Sequence, residues 1–204
     1  MAIPMLYHAG GEVKNLTGDA DDLVARAQSG EDEAFNEIFE HHYRFIYKFI
    51  YAMLGEKSLA EELTQETFFG AYKSIHSLRG EAKLQTWLCG IAKNVVFKSF
   101  RLSRKEGEKS ADDIESLRVF DDKSPAPDKQ FLSKELNLLI HAALKNLDDD
   151  KRLVFTLKEL QHLSYKEISE ITGHAIPKLK TDLHRAKIEM RTALSPYLEV
   201  KNEL

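Results

Sequence analysis

Apolar residues along this chain return at three- and four-residue steps and nowhere alternate in the two-residue rhythm of a strand, which restricts the fold to packed helices. Phe35, Ile38, Phe39, Ile46, Phe49, Ile50 and Met53 define the longest such face, and Gly55 closes it. Before it, Asp19 or Asp21 can cap a short helix carrying Leu23, Val24 and Ala27, broken at Gly30. Ser58 with Glu61 three positions on reads as a capping box, predicting a helix through about Ile75 that buries Leu63, Phe68, Ala71, Tyr72 and Ile75. Beyond a turn at Arg79 and Gly80, Trp87, Leu88, Ile91, Ala92 and Val95 mark a fourth helix, with Trp87 in phase with Ile91 as a core anchor. Towards its end this helix becomes basic and aromatic, IAKNVVFKSFRLSRK.

The pattern then stops. From Asp112 to Asp128 the chain carries Asp112, Asp113, Glu115, Asp121, Asp122 and Asp128 against only Arg118 and Lys123, together with Pro125 and Pro127, as an acidic flexible linker would. Its excess of four acids equals the formal net charge of the whole chain, -4. The remainder is therefore neutral, and basic clusters at Lys93 to Lys109 and Lys178 to Arg191 act locally within a screening length of about 8 Å. After the linker, Leu136, Leu139, Ile140, Ala143, Leu144 and Leu147 give a continuous stripe over Phe131 to Leu147; Asp148 to Asp150 mark a turn, and DKRLVFTLKEL forms the next helix. The expected fold is all-α, two small helical domains joined by the acidic linker. Residues 1–18 are an N-terminal extension, 19–108 the first domain, 109–130 the linker, 131–198 the second domain and 199–204 a tail.

The second domain contains LSYKEISEITGHAIPKLKTDLHRAK, Leu163 to Lys187, which reads as a helix-turn-helix. Ser164 and Glu167 form a capping box, Ile168 and Ile171 face inward, Ser169 is small enough for a close crossing, and Gly173 ends the helix. Leu179 and Leu183 supply the facing stripe of a second helix, which leaves Lys178, Lys180, His184, Arg185 and Lys187 outside. The single cysteine, Cys89, excludes an internal disulfide framework and reads as a small core residue. No run has membrane-spanning length, and MAIPMLYHAGGEVKN lacks a secretory signal, which predicts a cytoplasmic protein without membrane insertion.

In this order the motifs resemble a bacterial RNA polymerase sigma factor of the sigma-70 family, extracytoplasmic-function (ECF) group, over nearly everything from Asp22 to about Leu194. AEELTQETFFGAY, Ala60 to Tyr72, resembles the family's polymerase-binding helix, which implies Glu62, Gln65, Glu66 and Phe69 as the face that docks on core polymerase. LRGEAKLQTWLCGIAKN, Leu78 to Asn94, resembles the promoter-melting segment. It implies Arg79, Gly80, Glu81, Ala82 and Lys83 as the rim of a pocket for a flipped-out minus-ten base, with Lys93, Asn94, Phe97, Lys98, Arg101 and Arg104 supplying charge and stacking surface. LKNLDDDKRLVFTLKELQHLSYKEISEITG resembles the upstream-reading domain, implying Ser164, Tyr165, Lys178, Lys180, Thr181, His184, Arg185 and Lys187 at the minus-thirty-five DNA. The implied partners are core RNA polymerase, promoter DNA and an anti-sigma factor, with no small-molecule substrate, cofactor or metal.

One part departs from the family. Where members usually carry a glycine and threonine before the recognition helix's apolar residue and a serine–arginine pair after its lysine, this chain has Pro177, Lys178, Thr181 and Asp182. Proline suits a first helical turn. Asp182 would repel phosphate unless it pairs with Lys178 or Arg185 or accepts from a cytosine amino group, so an atypical upstream element, or weaker dependence on one, is expected. The alternative is a helix-turn-helix regulator that does not act through core polymerase; a response-regulator type would need receiver strands that the periodicity lacks. An enzyme is disfavoured, because His41 and His42 are adjacent on a helix and point apart, the other histidines lack ligand spacing, and no nucleophile motif or phosphate loop occurs.

Overall fold

In a computed structural model that describes residues 19–78, 83–107 and 127–200, every regular element is helical. The first domain comprises α1 (Asp19–Gln28), α2 (Asp32–Leu54), α3 (Lys57–Ser74), a 3-10 turn (Ile75–Ser77) and α4 (Leu84–Gly107). Here α2 is the central rod, packed against α1, α3 and α4. Its stripe of Ile38, Ile46, Phe49, Ile50 and Met53 is fully buried and meets Leu63, Phe68 and Ala71 of α3 and Leu88, Ala92 and Val96 of α4. Each such large apolar side chain contributes roughly 1.5–3 kcal/mol relative to exposure. Two buried threonines of α3 return their hydroxyls to their own helix, Thr64 to the Ala60 carbonyl at 2.6 Å and Thr67 to that of Leu63 at 2.7 Å. Gly55 adopts φ +72, ending α2 in a left-handed cap.

The second domain comprises α5 (Pro127–Asn146), α6 (Asp149–Phe155), a π-turn (Thr156–Leu160), α7 (Tyr165–Thr172) and α8 (Ile176–Val200). Asp148 caps α6 by accepting from the Lys151 N–H at 2.9 Å. In α7, Ser164 Oγ accepts from the Glu167 N–H at 3.2 Å, and the Glu167 carboxylate accepts from the Ser164 N–H at 2.8 Å, so the expected capping box is formed. Ser169 Oγ donates to the His174 carbonyl across the turn at 2.8 Å. Leu179 and Leu183 of α8 are buried against Ile168 and Ile171, the packing expected of a helix-turn-helix.

Several local expectations are corrected. The capping box at Ser58 and Glu61 does not form: α3 starts at Lys57 after an extended Glu56 that makes no side-chain cap, and Glu61 pairs with Lys57 at 3.9 Å. Tyr72 is 50% exposed because it lies at the edge of the α2–α3 contact, its ring edge-on to Phe35 and its hydroxyl donating to Asp32 at 2.8 Å. Leu136 is 47% exposed, since the buried part of α5 is its C-terminal half, at Ala143, Leu144 and Leu147. DKRLVFTLKEL is not one uniform helix; the Gln161 N–H bonds the Thr156 carbonyl five residues back, at 3.0 Å. Trp87 is half-buried and packs against the core, and Cys89 is buried, with its thiol pushed up to about 12 by burial. The stretch expected to be linker, 109–130, lies outside the described residues as far as 126, while its last four residues begin α5, which therefore starts earlier than Phe131.

The turn of the helix-turn-helix rests on Gly173, at φ +74 with open space where a Cβ would be. Gly173→Ala is therefore expected to cost about 1–2 kcal/mol through backbone conformation alone, read as a lower urea midpoint at unchanged m-value.

Candidate nucleic-acid interface

On α3, Glu62, Gln65, Glu66 and Phe69 are all exposed, while Leu63, Thr64, Thr67 and Phe68 between them are buried. Phe69 is 58% exposed, and its only ring partner among the described contacts is its own neighbour Lys73, whose Nζ lies 3.9 Å above the ring centroid. An aromatic left outside beside acids is suited to a protein partner. Glu66 is tied to α4, accepting from Lys98 Nζ at 2.9 Å.

Arg79, Gly80, Glu81 and Ala82 lie outside the described residues. The remaining first-domain candidates are brought together along α4, and most of them face the second domain. Lys83 donates to Glu167 at 2.9 Å, Lys93 to the Ile171 carbonyl at 3.0 Å, and Arg104 pairs with Asp149. Asn94, Phe97 and Arg101 line a cleft of about 390 Å³ whose other wall includes Asp150, Leu153 and His174. A neighbouring cleft of about 680 Å³ separates Trp87 and Ile91 from Lys166, Glu170 and Ile171. Phe97 lies 5.9 Å from Phe100.

The upstream candidates sit on α7 and α8. Ser164 is consumed by its cap. Tyr165 has two ammonium groups over its ring, Lys180 at 5.7 Å and Lys158 at 4.9 Å. Lys158 belongs to the π-turn and was missed in the sequence, where its only signal is a cation six residues before Ser164. Lys180, Thr181, His184, Arg185 and Lys187 are exposed on one long helix, with Lys187 paired to Glu159 at 2.9 Å. The uncertainty at Asp182 resolves into an ion pair: its carboxylate is only 13% exposed and accepts from Lys178 at 2.7 Å, which also reaches Asp150 at 3.0 Å. Both contacts hold the Lys178 ammonium above its ordinary range, the Asp182 bond most.

Two family models match the chain, Sigma-70 region 2 over residues 38–106 and Sigma-70, region 4 over residues 137–190. The chain is similar to the ECF RNA polymerase sigma factor SigW of Bacillus subtilis (strain 168), with 30% identity over 176 residues that cover 84% of this chain and 94% of the relative. It is also similar to the ECF RNA polymerase sigma-E factor of Haemophilus influenzae, at 29% over 194 residues, 91% of this chain and 99% of the relative. In fold it is similar to the sigma factor RpoE from Bartonella quintana, solved with the anti-sigma factor NepR, with a TM-score of 0.66 and 23% identity over 79% of this chain and 96% of that one. No described helix is long and apolar enough to cross a membrane.

Glu167 links the two halves of this geometry and titrates accordingly. Its hydrogen bonds from the Ser164 hydroxyl and N–H, with Lys83 alongside, hold its carboxyl down from 4.5 to about 2. A depressed acid stabilises the fold fully above its ordinary value and loses that contribution as pH falls through the native one. The stability gap between wild type and Glu167→Gln in urea titrations should thus be constant above pH 4.5 and shrink towards pH 2; a gap that did not narrow would show that Glu167 is not ionised in this role.

Proposed function

Because the chain belongs to the ECF group of the sigma-70 family of bacterial RNA polymerase sigma factors, we propose that its two domains divide promoter recognition between them. It is a sigma factor: it binds core RNA polymerase and directs transcription initiation. The observation that carries the division of labour is the presence of both matched regions, in order, on two helical domains with separate basic faces, one along α4 and one along α8.

In this reading the exposed acids, glutamine and Phe69 of α3 dock on core polymerase, with Phe69 as the apolar anchor and Glu62 and Glu66 steering the encounter with a basic surface. Arg79 to Lys83 and the cations and aromatics of α4 take the opened non-template strand, for which a phenyl face and a row of ammonium and guanidinium groups are suitable partners. Strand opening is driven by binding single-stranded DNA better than duplex, so no bond is made or broken by the protein and the action is non-enzymatic. The N-terminal half of α8 enters the major groove with Lys180, Thr181, His184 and Arg185 outermost, while Tyr165 and Lys158 lie beside it at phosphate level. The site of action is the cytoplasm, where template and polymerase are. An anti-sigma factor is a further partner, on the precedent of the Bartonella quintana protein solved with one.

Transcription in vitro with purified core polymerase tests the whole reading. Run-off products from a genomic promoter library should appear only when the chain is added, and Phe69→Ala should reduce both co-purification with core and product by about tenfold, as loss of a central aromatic anchor does. A chain that binds DNA yet never directs initiation would instead be a conventional helix-turn-helix regulator.

The upstream reader carries its own expectation. Asp182 and Asp150 share Lys178, so Asp182→Ala/Asp150→Ala should free a cation for phosphate, tighten binding to upstream duplexes and steepen the salt dependence by about one contact. Anisotropy titrations at several salt concentrations measure this; unchanged affinity and slope would place Lys178 away from the DNA.

A further inference from the structure

Four of the described residues hold a positive φ, and three of them are glycines, Gly30, Gly55 and Gly173. The fourth is His162, at φ 58. It lies between the π-turn and α7, where the chain must reverse so that Leu163 enters the core and Ser164 can cap the next helix. The Leu163 N–H closes this reversal on the Leu157 carbonyl at 3.0 Å, a backbone bond that uses nothing of the imidazole. A residue with a Cβ is strained in the left-handed region and glycine is not, so the fold alone calls for glycine at this position. The imidazole is exposed, and none of the hydrogen bonds or ion pairs among the described residues uses it. A strained residue whose side chain does nothing for the fold points to a role outside it.

The neighbours of His162 define that role. Lys158, four residues earlier, and Lys180 of α8 place their ammonium groups 4.9 and 5.7 Å from the ring centroid of Tyr165. Lys158 also donates to the Leu163 carbonyl at 2.9 Å, next to His162 in the chain. Neither lysine has a carboxylate partner among the described residues, whereas Lys178 and Lys187 of α8 pair with Asp182 and Glu159. Two cations gathered at one ring without a counter-charge make a local positive field that suits an anion. We propose that His162 is a further DNA contact of the second domain, donating an imidazole N–H to the backbone phosphate that Lys158 and Lys180 attract to Tyr165. The proposal rests on the reading of α8 as the helix that enters the major groove. The amide end of α7 is not the anion site, because Ser164 and Glu167 already cap it. Ammonium groups attract phosphate from many directions, while one imidazole N–H accepts few, so His162 fixes the register of α8 on the duplex.

The probe is a duplex selected from a randomised pool by the full chain with core polymerase, used whole and cut back to remove its upstream half. His162→Gly should raise the urea midpoint of the chain, because the backbone strain is relieved. The same variant, with core polymerase, should bind the whole duplex about tenfold more weakly, as loss of one hydrogen bond to a charged group does, and the shortened duplex as tightly as wild type. His162→Asn, which tolerates the left-handed backbone and keeps an N–H donor, should recover most of the affinity. Replacing single upstream phosphates by uncharged methylphosphonates should reveal one position that weakens wild type several times more than it weakens His162→Gly. A merely structural role would move stability and affinity in the same direction; opposite shifts mark a contact. A His162→Gly variant that binds the whole duplex as tightly as wild type, or whose urea midpoint falls, overturns the proposal. So does a scan in which every phosphate matters equally to both chains. Failure of the sigma reading looks different, since the pool would then return no duplex even for wild type, and the contact would fall with it.

Discussion

A single guanidinium ties the molecule together. Arg152, with its side chain only 11% exposed, donates from Nε to the Leu144 carbonyl at 2.9 Å, from Nη2 to those of Lys145 and Leu147 at 3.0 Å each, and from Nη1 to that of Met53 at 2.9 Å. The first three are carbonyls at the end of α5, and the fourth is near the end of α2, so one residue closes helix ends in both domains. Unpaired C-terminal carbonyls carry the negative end of the helix dipole, and a buried cation is tolerable where two such ends converge. A lysine could not substitute, because its three donors radiate from one atom, whereas the planar fork reaches four acceptors at once. With α5 and α6 locked at this corner, the direction of the π-turn and of the helix-turn-helix that follows is set.

The surface that this corner anchors is mixed, with apolar packing beneath exposed ion pairs. Leu88, Ala92 and Val96 of α4 turn into the first domain; Trp87 and Ile91, one position back on each turn, line a cleft that Ile171 also lines, and Ile91 lies beside Gly70 of α3. The helix therefore carries apolar residues on more than one flank. Thr156 Oγ1 and His141 Nδ1 are both buried in the second domain without a hydrogen bond. A buried polar atom left unpaired costs about 1–3 kcal/mol, enough to offset a few exposed ion pairs worth under about 1 kcal/mol each. Burial also lowers the pKa of His141, so acid conditions oppose this packing further.

What was legible in the sequence was whatever is decided within one or two turns of chain. The cap at Ser164 and Glu167, the left-handed ends at Gly55 and Gly173 and the buried stripe of α2 are all local, and each is present. Ser58 and Glu61 have the same spacing as a true cap and fail because the extended Glu56, directly after the Gly55 turn, already starts the helix. The five-residue bond at Thr156 has no sequence signature, since it arises where the helix packs on α2 rather than from its own residues. Tyr72 and Leu136 continue apolar periodicities past the point where a neighbour covers them. The candidate DNA residues were readable as types; their engagement by Asp149, Asp150 and Glu167 was not, because periodicity reports which side of a helix is buried and says nothing of which domain buries it. The one signal available was the breadth of the apolar surface of α4, too wide for a helix with a single neighbour.

Asp148, Asp149 and Asp150 explain how an acidic chain reconciles its charge with its partners. Placed at the start of α6, three carboxylates sit at the positive end of a helix dipole, and Asp148 also lies 2.8 Å from the Lys151 ammonium. Asp148 is spent on the cap, and its bond to the Lys151 N–H fixes the orientation of the turn. Asp149 and Asp150 then project in different directions, to Arg104 and to Lys178. A net charge of -4 is thus compatible with two local basic faces, one along α4 and one along α8.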